Sequence, residues 1–172
     1  MVYGVWCMVY GVGCMVYKVG IIGPESSGKS TLARYLAKRY KGVYVPEYGR
    51  SYIEQKGTKE VSYDEVCEIA RHQIEELDIF CRQDADTVYF FDTELVVTKV
   101  WFEYAFGHVP EWLEEAIRRY PMDVYLLTKP DIPWEEDPTR SNGSDAIRQE
   151  LFARYEAEIE ALGIPYYIIE HA

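Results

Sequence analysis

Residues 23–31 read GPESSGKST, and their types and spacing serve one kind of chemistry. The pattern is Gly23, four residues, then Gly28-Lys29-Ser30. Glycines at both ends allow the backbone angles that turn successive N–H groups inward around an anion. Glu25, Ser26, Ser27 and Gly28 therefore form a candidate phosphate cradle. Thr31 continues it at the head of the next helix, whose dipole adds partial positive charge. Lys29 is placed to reach the outer phosphates of a triphosphate, and the Ser30 hydroxyl to coordinate Mg²⁺. Many sequences contain this pattern by chance. Here it lies between an apolar stretch, YKVGII, and an amphipathic one carrying Leu32, Ala33, Leu36 and Ala37 on one face. That is the strand–loop–helix setting such a loop requires, and the cofactors it implies are ATP and Mg²⁺.

A grip on triphosphate fits a motor, a switch or a transferase, so other polar residues must indicate what receives the phosphoryl group. Asp92 ends the apolar run VYFFD. A carboxylate at the C-terminal end of a buried parallel strand lies where α/β sheets bind ligands. Asp92 is thus a candidate metal-side residue with Ser30, or a holder of a substrate hydroxyl; the structural alternative is a helix N-cap. Glu47, in PEYGR directly after the second apolar run, would share that sheet edge and can accept the proton of an attacking alcohol. Arg50 would steady Glu47 or a phosphate oxygen, or else form a plain surface pair. Arg140, in the stretch KPDIPWEEDPTRSNGS (129–144), and Arg148 on the following helix complete the set. A kinase must keep water from the bound triphosphate. A segment carrying arginines, at about 129–148, would close over it and balance transition-state charge; the plainer alternative leaves both arginines solvated. The candidate catalytic residues are then Lys29, Glu47, Asp92 and Arg140, with Arg140 and Arg148 also on the nucleotide.

These residues need a scaffold that delivers strand ends to one edge. Apolar runs at 16–22, 42–46, 87–93, 123–128 and 165–170 read as strands. Helical patterns cover 29–40, 62–83, 94–104, 111–119 and 145–162. Ser62 with Glu65 three residues later is a capping-box signature. Strands alternating with helices predict an α/β fold, a three-layer α/β/α arrangement around a mostly parallel five-stranded sheet, with right-handed crossovers. Taken with the phosphate loop, this is a P-loop NTPase fold. No Gly-, Ser- or Pro-rich linker divides the chain, so residues 15–172 are expected to form one domain.

Composition narrows the partners. The chain has 172 residues and a net charge of −11, from 29 acidic and 18 basic side chains. No cluster of Lys and Arg offers a basic face, which argues against nucleic acid. Cys7, Cys14, Cys67 and Cys81 show neither metal-ligand spacing nor the density of a secreted disulfide scaffold. Cys67 and Cys81 would lie roughly 21 Å apart on one straight helix. Free thiols in a reducing cytoplasm are the expectation. His72, His108 and His171 suggest no ligand cluster, although His72 with Gln73 on the long helix could line a substrate side. A single asparagine is a faint thermophile signal. Residues 1–21 contain a repeat, MVYGVWC, MVYGVGC, MVYKVGI, which lacks the cationic lead of a secretory signal and does not read as a membrane span. Residues 1–14 are either an appendage or precede a biological start at Met15. Oligomeric state is left open.

Seven features occur in the order seen in one family. GPESSGKSTL, EYGR, HQ (72–73), FFDT, YP-x-DVYLL (120–127), W-x-x-D-x-x-R (134–140) and Arg148 resemble the ribosylnicotinamide kinase domain of NadR-type proteins, over essentially residues 16–172. The resemblance implies a kinase of the nucleoside and nucleotide branch that moves the γ-phosphate of ATP to the 5′-hydroxyl of nicotinamide riboside, giving nicotinamide mononucleotide. It implies a substrate site with Glu47, Tyr48, Arg50, Asp92 and Trp134. NadR proteins can carry regulatory and adenylyltransferase domains upstream, and nothing in this sequence encodes them, so a stand-alone kinase is expected. Pro46 departs from the family pattern, which has there an aromatic that stacks on the nicotinamide ring. Trp134, Tyr48 and Tyr104 are the candidate replacements. The alternatives are a kinase for another nucleoside or small alcohol, and a nucleotide-dependent switch. A switch has little use for arginines supplied in cis over its own site.

Overall fold

A computed structural model describes residues 17–83, 87–133 and 144–172. The first two copies of the repeat, the Met15 start, Trp134 and Arg140 lie outside the described residues, while the third copy runs into β1. The chain runs β1 (Tyr17–Ile22), α1 (Lys29–Tyr40), β2 (Val43–Val45), α2 (Tyr48–Lys56), α3 (Tyr63–Phe80) and β3 (Val88–Asp92). It continues through α4 (Leu95–Phe106), α5 (Glu111–Arg119), β4 (Val124–Thr128), α6 (Asp145–Leu162) and β5 (Tyr166–Ile169).

The five strands form one sheet in the order β2-β3-β1-β4-β5, and all four pairings are parallel. β1 is central because its residues are apolar on both faces. Val19 and Ile21 pack with Ala33 and Ala37 of α1 and with Phe90. Ile22 belongs to the larger core on the opposite face, with Val66 and Leu77 of α3, Val96 and Phe102 of α4, and Leu151 and Ile159 of α6. Helices thus cover both faces, as a parallel sheet requires. Gly20 lets the sheet close up. A Cβ there would stand 2.6 Å from the Tyr125 ring, and Tyr125, 1% exposed, fills that space.

Local signals mostly hold. The Ser62–Glu65 capping box forms, with Glu65 N donating to Ser62 Oγ at 3.3 Å and Ser62 N to Glu65 Oε2 at 2.8 Å. Cys67 is buried and Cys81 half-buried, and neither is in a disulfide among the described residues. The missed element is α2. Its sequence, YGRSYIEQK, lacks an apolar period and carries glycine in the first turn. Its one clear signal is Gly57, a left-handed C-cap (φ 76°) whose N–H donates to Ile53 O. Among the described residues no helix is long and apolar enough to cross a membrane.

The topology brings three strand ends to one edge of the sheet. β1 feeds the phosphate loop, β2 ends just before Glu47, and β3 ends at Asp92. Because β3 lies between β1 and β2, the carboxyl end of β3 separates the loop from Glu47.

Candidate active site

Loop 23–28 is held from below. The Ser27 hydroxyl is 2.7 Å from Pro24 O and 2.6 Å from Thr128 Oγ1, while Thr128 Oγ1 donates to Ile22 O at 3.2 Å. Ser27 is 1% exposed, so its side chain braces the loop against β4. Gly23 (φ 152°) has no room for a side chain, since a Cβ would collide with Thr128. Gly28 (φ 84°) is the N-cap of α1. Lys29 Nζ folds back onto Pro24 O at 2.7 Å.

Arg148 is the second brace, and it is not solvated. Its side chain is 1% exposed. The guanidinium donates to Glu25 O (3.1 Å), Ser26 O (3.0 Å) and Ile132 O (3.0 Å), and to the exposed Asp145 Oδ1 (3.1 Å). It ties the phosphate loop to α6 and to the chain leaving β4. Only the fork of an arginine meets three separate carbonyls this way.

A cleft of about 440 Å³ opens over the loop, within the range of small-molecule sites. Its floor is Gly23 and Glu25 through Thr31, and its middle is Glu47, Arg50 and Thr93. Its far wall is apolar and aromatic: Ile53, Val61, Val97, Trp101 and Tyr104. Lys29, Ser30, Glu47 and Arg50 are therefore brought together. Val97, Trp101 and Tyr104 recur along one face of α4, while Val96, Val100 and Phe102 on its other face are buried. This explains why α4 reads as apolar nearly all round: one face packs the core and the other lines the cleft. Sequence reasoning missed Trp101, and that two-faced apolarity was the available signal. Arg154 lies over the Tyr104 ring, 5.7 Å from its centroid.

Tyr48 is elsewhere. Its ring stacks on His72 at 3.5 Å and 4°, and it lines a second, small cavity of about 10 Å³. Arg50 pairs with Glu54 at 3.0 Å. Its charge also reaches Glu47 and draws that carboxyl down.

Electrostatics set the carboxylates apart. Burial pushes Glu47 up to about 7; Lys29 opposes this, Asp92 adds to it, and Arg50 opposes it. Asp92 is 1% exposed. Its Oδ2 accepts from Tyr44 O–H at 2.9 Å, and Oδ1 is buried without a partner among the described residues. It is not an N-cap. That place falls to Glu94, which accepts from Val96 N at 3.0 Å and is pushed by burial up to about 8. Tyr155 of α6 also lines the cleft. Burial raises its phenol well above the ordinary value, and the charges of Glu47 and Glu25 raise it further.

Asp92 Oδ1 and the Ser30 hydroxyl are oxygen donors of the type Mg²⁺ takes when phosphates and water supply the rest; Ser30 lines the cleft, whereas Asp92 is not among its lining residues.

A phosphate loop braced from below, opening into a cleft with an aromatic far wall on a five-stranded parallel sheet, is the P-loop fold as nucleoside and nucleotide kinases have it. Residues 18–172 match the AAA domain family (AAA_28), and the chain belongs to that family. It is 34% identical over 134 residues to the trifunctional NAD biosynthesis/regulator protein NadR of Escherichia coli K12, which covers 76% of this chain and 32% of that protein. The NadR of Salmonella typhimurium is 34% identical over 132 residues, 75% of this chain and 32% of the relative. The chain thus spans about a third of the length of these relatives, and the resemblance read from the motifs is upheld. A crystal structure of a NadR protein in complex with NR superposes with a TM-score of 0.69 at 20% identity, over 89% of this chain and 45% of the other. Thymidylate kinase from Ehrlichia chaffeensis gives 0.63 at 13% identity, over 91% and 88%. These likenesses show the fold.

Proposed function

We propose that the protein is an ATP-dependent kinase that phosphorylates the 5′-hydroxyl of a ribonucleoside, nicotinamide riboside giving nicotinamide mononucleotide. One observation carries this: a single cleft is lined by Lys29 and Ser30 of the loop, by Glu47, and by the aromatic Trp101 and Tyr104. A nucleoside with its base on the aromatic wall directs its sugar toward the loop. The similarity to NadR over the kinase-like region supports nicotinamide riboside as the acceptor.

In this reading the loop amides, Lys29 and Ser30 bind Mg-ATP, whose terminal phosphoryl group is the one transferred. Asp92 Oδ1 and Ser30 would hold the Mg²⁺ that accompanies ATP, which would draw charge from the phosphates, while Tyr44 donates to Oδ2 and steadies the carboxylate. Glu47, with its carboxyl near neutrality, accepts the proton of the 5′-hydroxyl as the new P–O bond forms. Aromatic faces bind a cationic ring well, and nicotinamide riboside is a cation.

The test is product identification. Pure protein is incubated with Mg-ATP and a nucleoside panel that includes nicotinamide riboside, and phosphorylated products are identified by mass. Nicotinamide mononucleotide is expected. Another nucleotide as the sole product would keep the kinase and reject this acceptor. ADP release that no nucleoside stimulates would reject the kinase.

A further inference from the structure

Thr93 is unusual in two independent ways. Its φ is +72°, a left-handed conformation that a β-branched residue adopts only where its surroundings impose it. Its hydroxyl is also buried with no hydrogen-bond partner among the described residues, on a residue only 9% exposed. Strained backbone and an orphaned polar group in one residue both cost stability, and such features gather at functional positions.

Position indicates what the hydroxyl serves. Thr93 N donates to Ile21 O at 3.1 Å, which sets the residue at the mouth of β1, beside the phosphate loop. β3 stands between β1 and β2, so Thr93 lies between the phosphate loop and Glu47, and it lines the same cleft as both. A molecule bridging the transferred phosphoryl group and Glu47 passes over it. Thr93 also borders the small cavity of about 10 Å³, room for about one water and no sugar. Of the polar neighbours there, Gln73 Oε1 accepts from Thr98 Oγ1 at 2.7 Å, Glu94 accepts from Val96 N, Glu76 lies 3.7 Å from His72 Nδ1 and Tyr48 stacks on His72. Thr93 lines the cleft as well, so a ligand bound there brings hydroxyl groups to the residue that carries the unpartnered Oγ1.

We propose that Thr93 is a specificity-determining residue whose hydroxyl bonds a ribose hydroxyl of the acceptor, so that the enzyme selects ribosyl over deoxyribosyl substrates. This rests on the nucleoside kinase reading. A site built to bond a hydroxyl rejects the analogue lacking it, because its own polar group is then left unpaired.

The experiment compares wild type, Thr93→Val and Thr93→Ser with nicotinamide riboside and its 2′,3′-dideoxy analogue, read as kcat/KM at saturating Mg-ATP. If wild type phosphorylates a different ribonucleoside, that nucleoside and its dideoxy form are used. Thr93→Val keeps the shape and loses the hydroxyl. It is expected to lose about tenfold on the riboside, the worth of one hydrogen bond, and little on the analogue. Thr93→Ser is expected to retain the wild-type ratio. A ribo-to-dideoxy ratio unchanged in Thr93→Val overturns the role of Thr93 and leaves the kinase standing. A loss that appears instead as weaker Mg²⁺ activation also overturns it, by placing the hydroxyl in the metal's shell. Wild type that phosphorylates no ribonucleoside removes the kinase reading and this inference with it.

Discussion

Glu47→Gln tests the proposed chemistry most directly. Burial holds the Glu47 carboxyl up to about 7, so near pH 7 about half of the molecules carry the base ionised. At pH 6 about one in ten do. The logarithm of kcat/KM for the acceptor should therefore rise with a slope near one below about pH 6, gain about fivefold between pH 6 and pH 7, and level off above about pH 8. Replacing the carboxylate by its amide removes the proton acceptor at nearly constant volume. The rate on the plateau should fall about 10²- to 10⁴-fold, the usual worth of a positioned base, and the limb near pH 7 should disappear. Arg50 is one of the charges that draw the carboxyl down, so Arg50→Met should move the wild-type limb to higher pH. The assay is acceptor-stimulated ADP release from pH 5.5 to 9, with ATP affinity measured separately to show that the loop is intact. A Glu47→Gln enzyme with near-wild-type turnover, or one that keeps the limb, refutes the assignment of Glu47 as base.

Three further outcomes are expected. Arg148→Met should lower stability by about 2 kcal/mol, because three main-chain carbonyls, that of Ser26 buried and the others partly so, lose their donor; thermal melting reads this, and ATP affinity should fall with it through the loosened loop. Trp101→Ala should raise the acceptor KM at least tenfold while leaving ATP binding in place, separable by titrating each substrate against the other. Glu94→Gln bears on stability against pH. A carboxyl whose folded pKa is raised from 4.5 to about 8 stabilises fully below 4.5 and has lost that contribution once pH has risen through about 8. The amide does not titrate, so denaturant unfolding should show the variant gaining on wild type between about pH 5 and pH 8, and no change in their difference would contradict the buried, protonated state.

The sequence by itself carried the phosphate loop, the alternation of strands and helices, and the glutamate after the second strand. Each depends on residue types at short range: glycines that permit a turn, apolar runs that must be buried, a cap residue three positions before its partner. It could not carry α2, whose stability comes from neighbours rather than from its own period. For Asp92 it pointed to a metal-side role or a hold on a substrate hydroxyl, with a helix cap as the structural alternative, and the structure gives the cap to Glu94. Arg148 looked like a mobile charge because three of its four acceptors are main-chain carbonyls of segments up to 123 residues away, and carbonyls leave no mark in a sequence. Trp101 was hidden because nothing local distinguishes a tryptophan facing a cleft from one facing a core. Long-range packing decides which face of a helix meets space and which meets protein, and only tertiary structure records that.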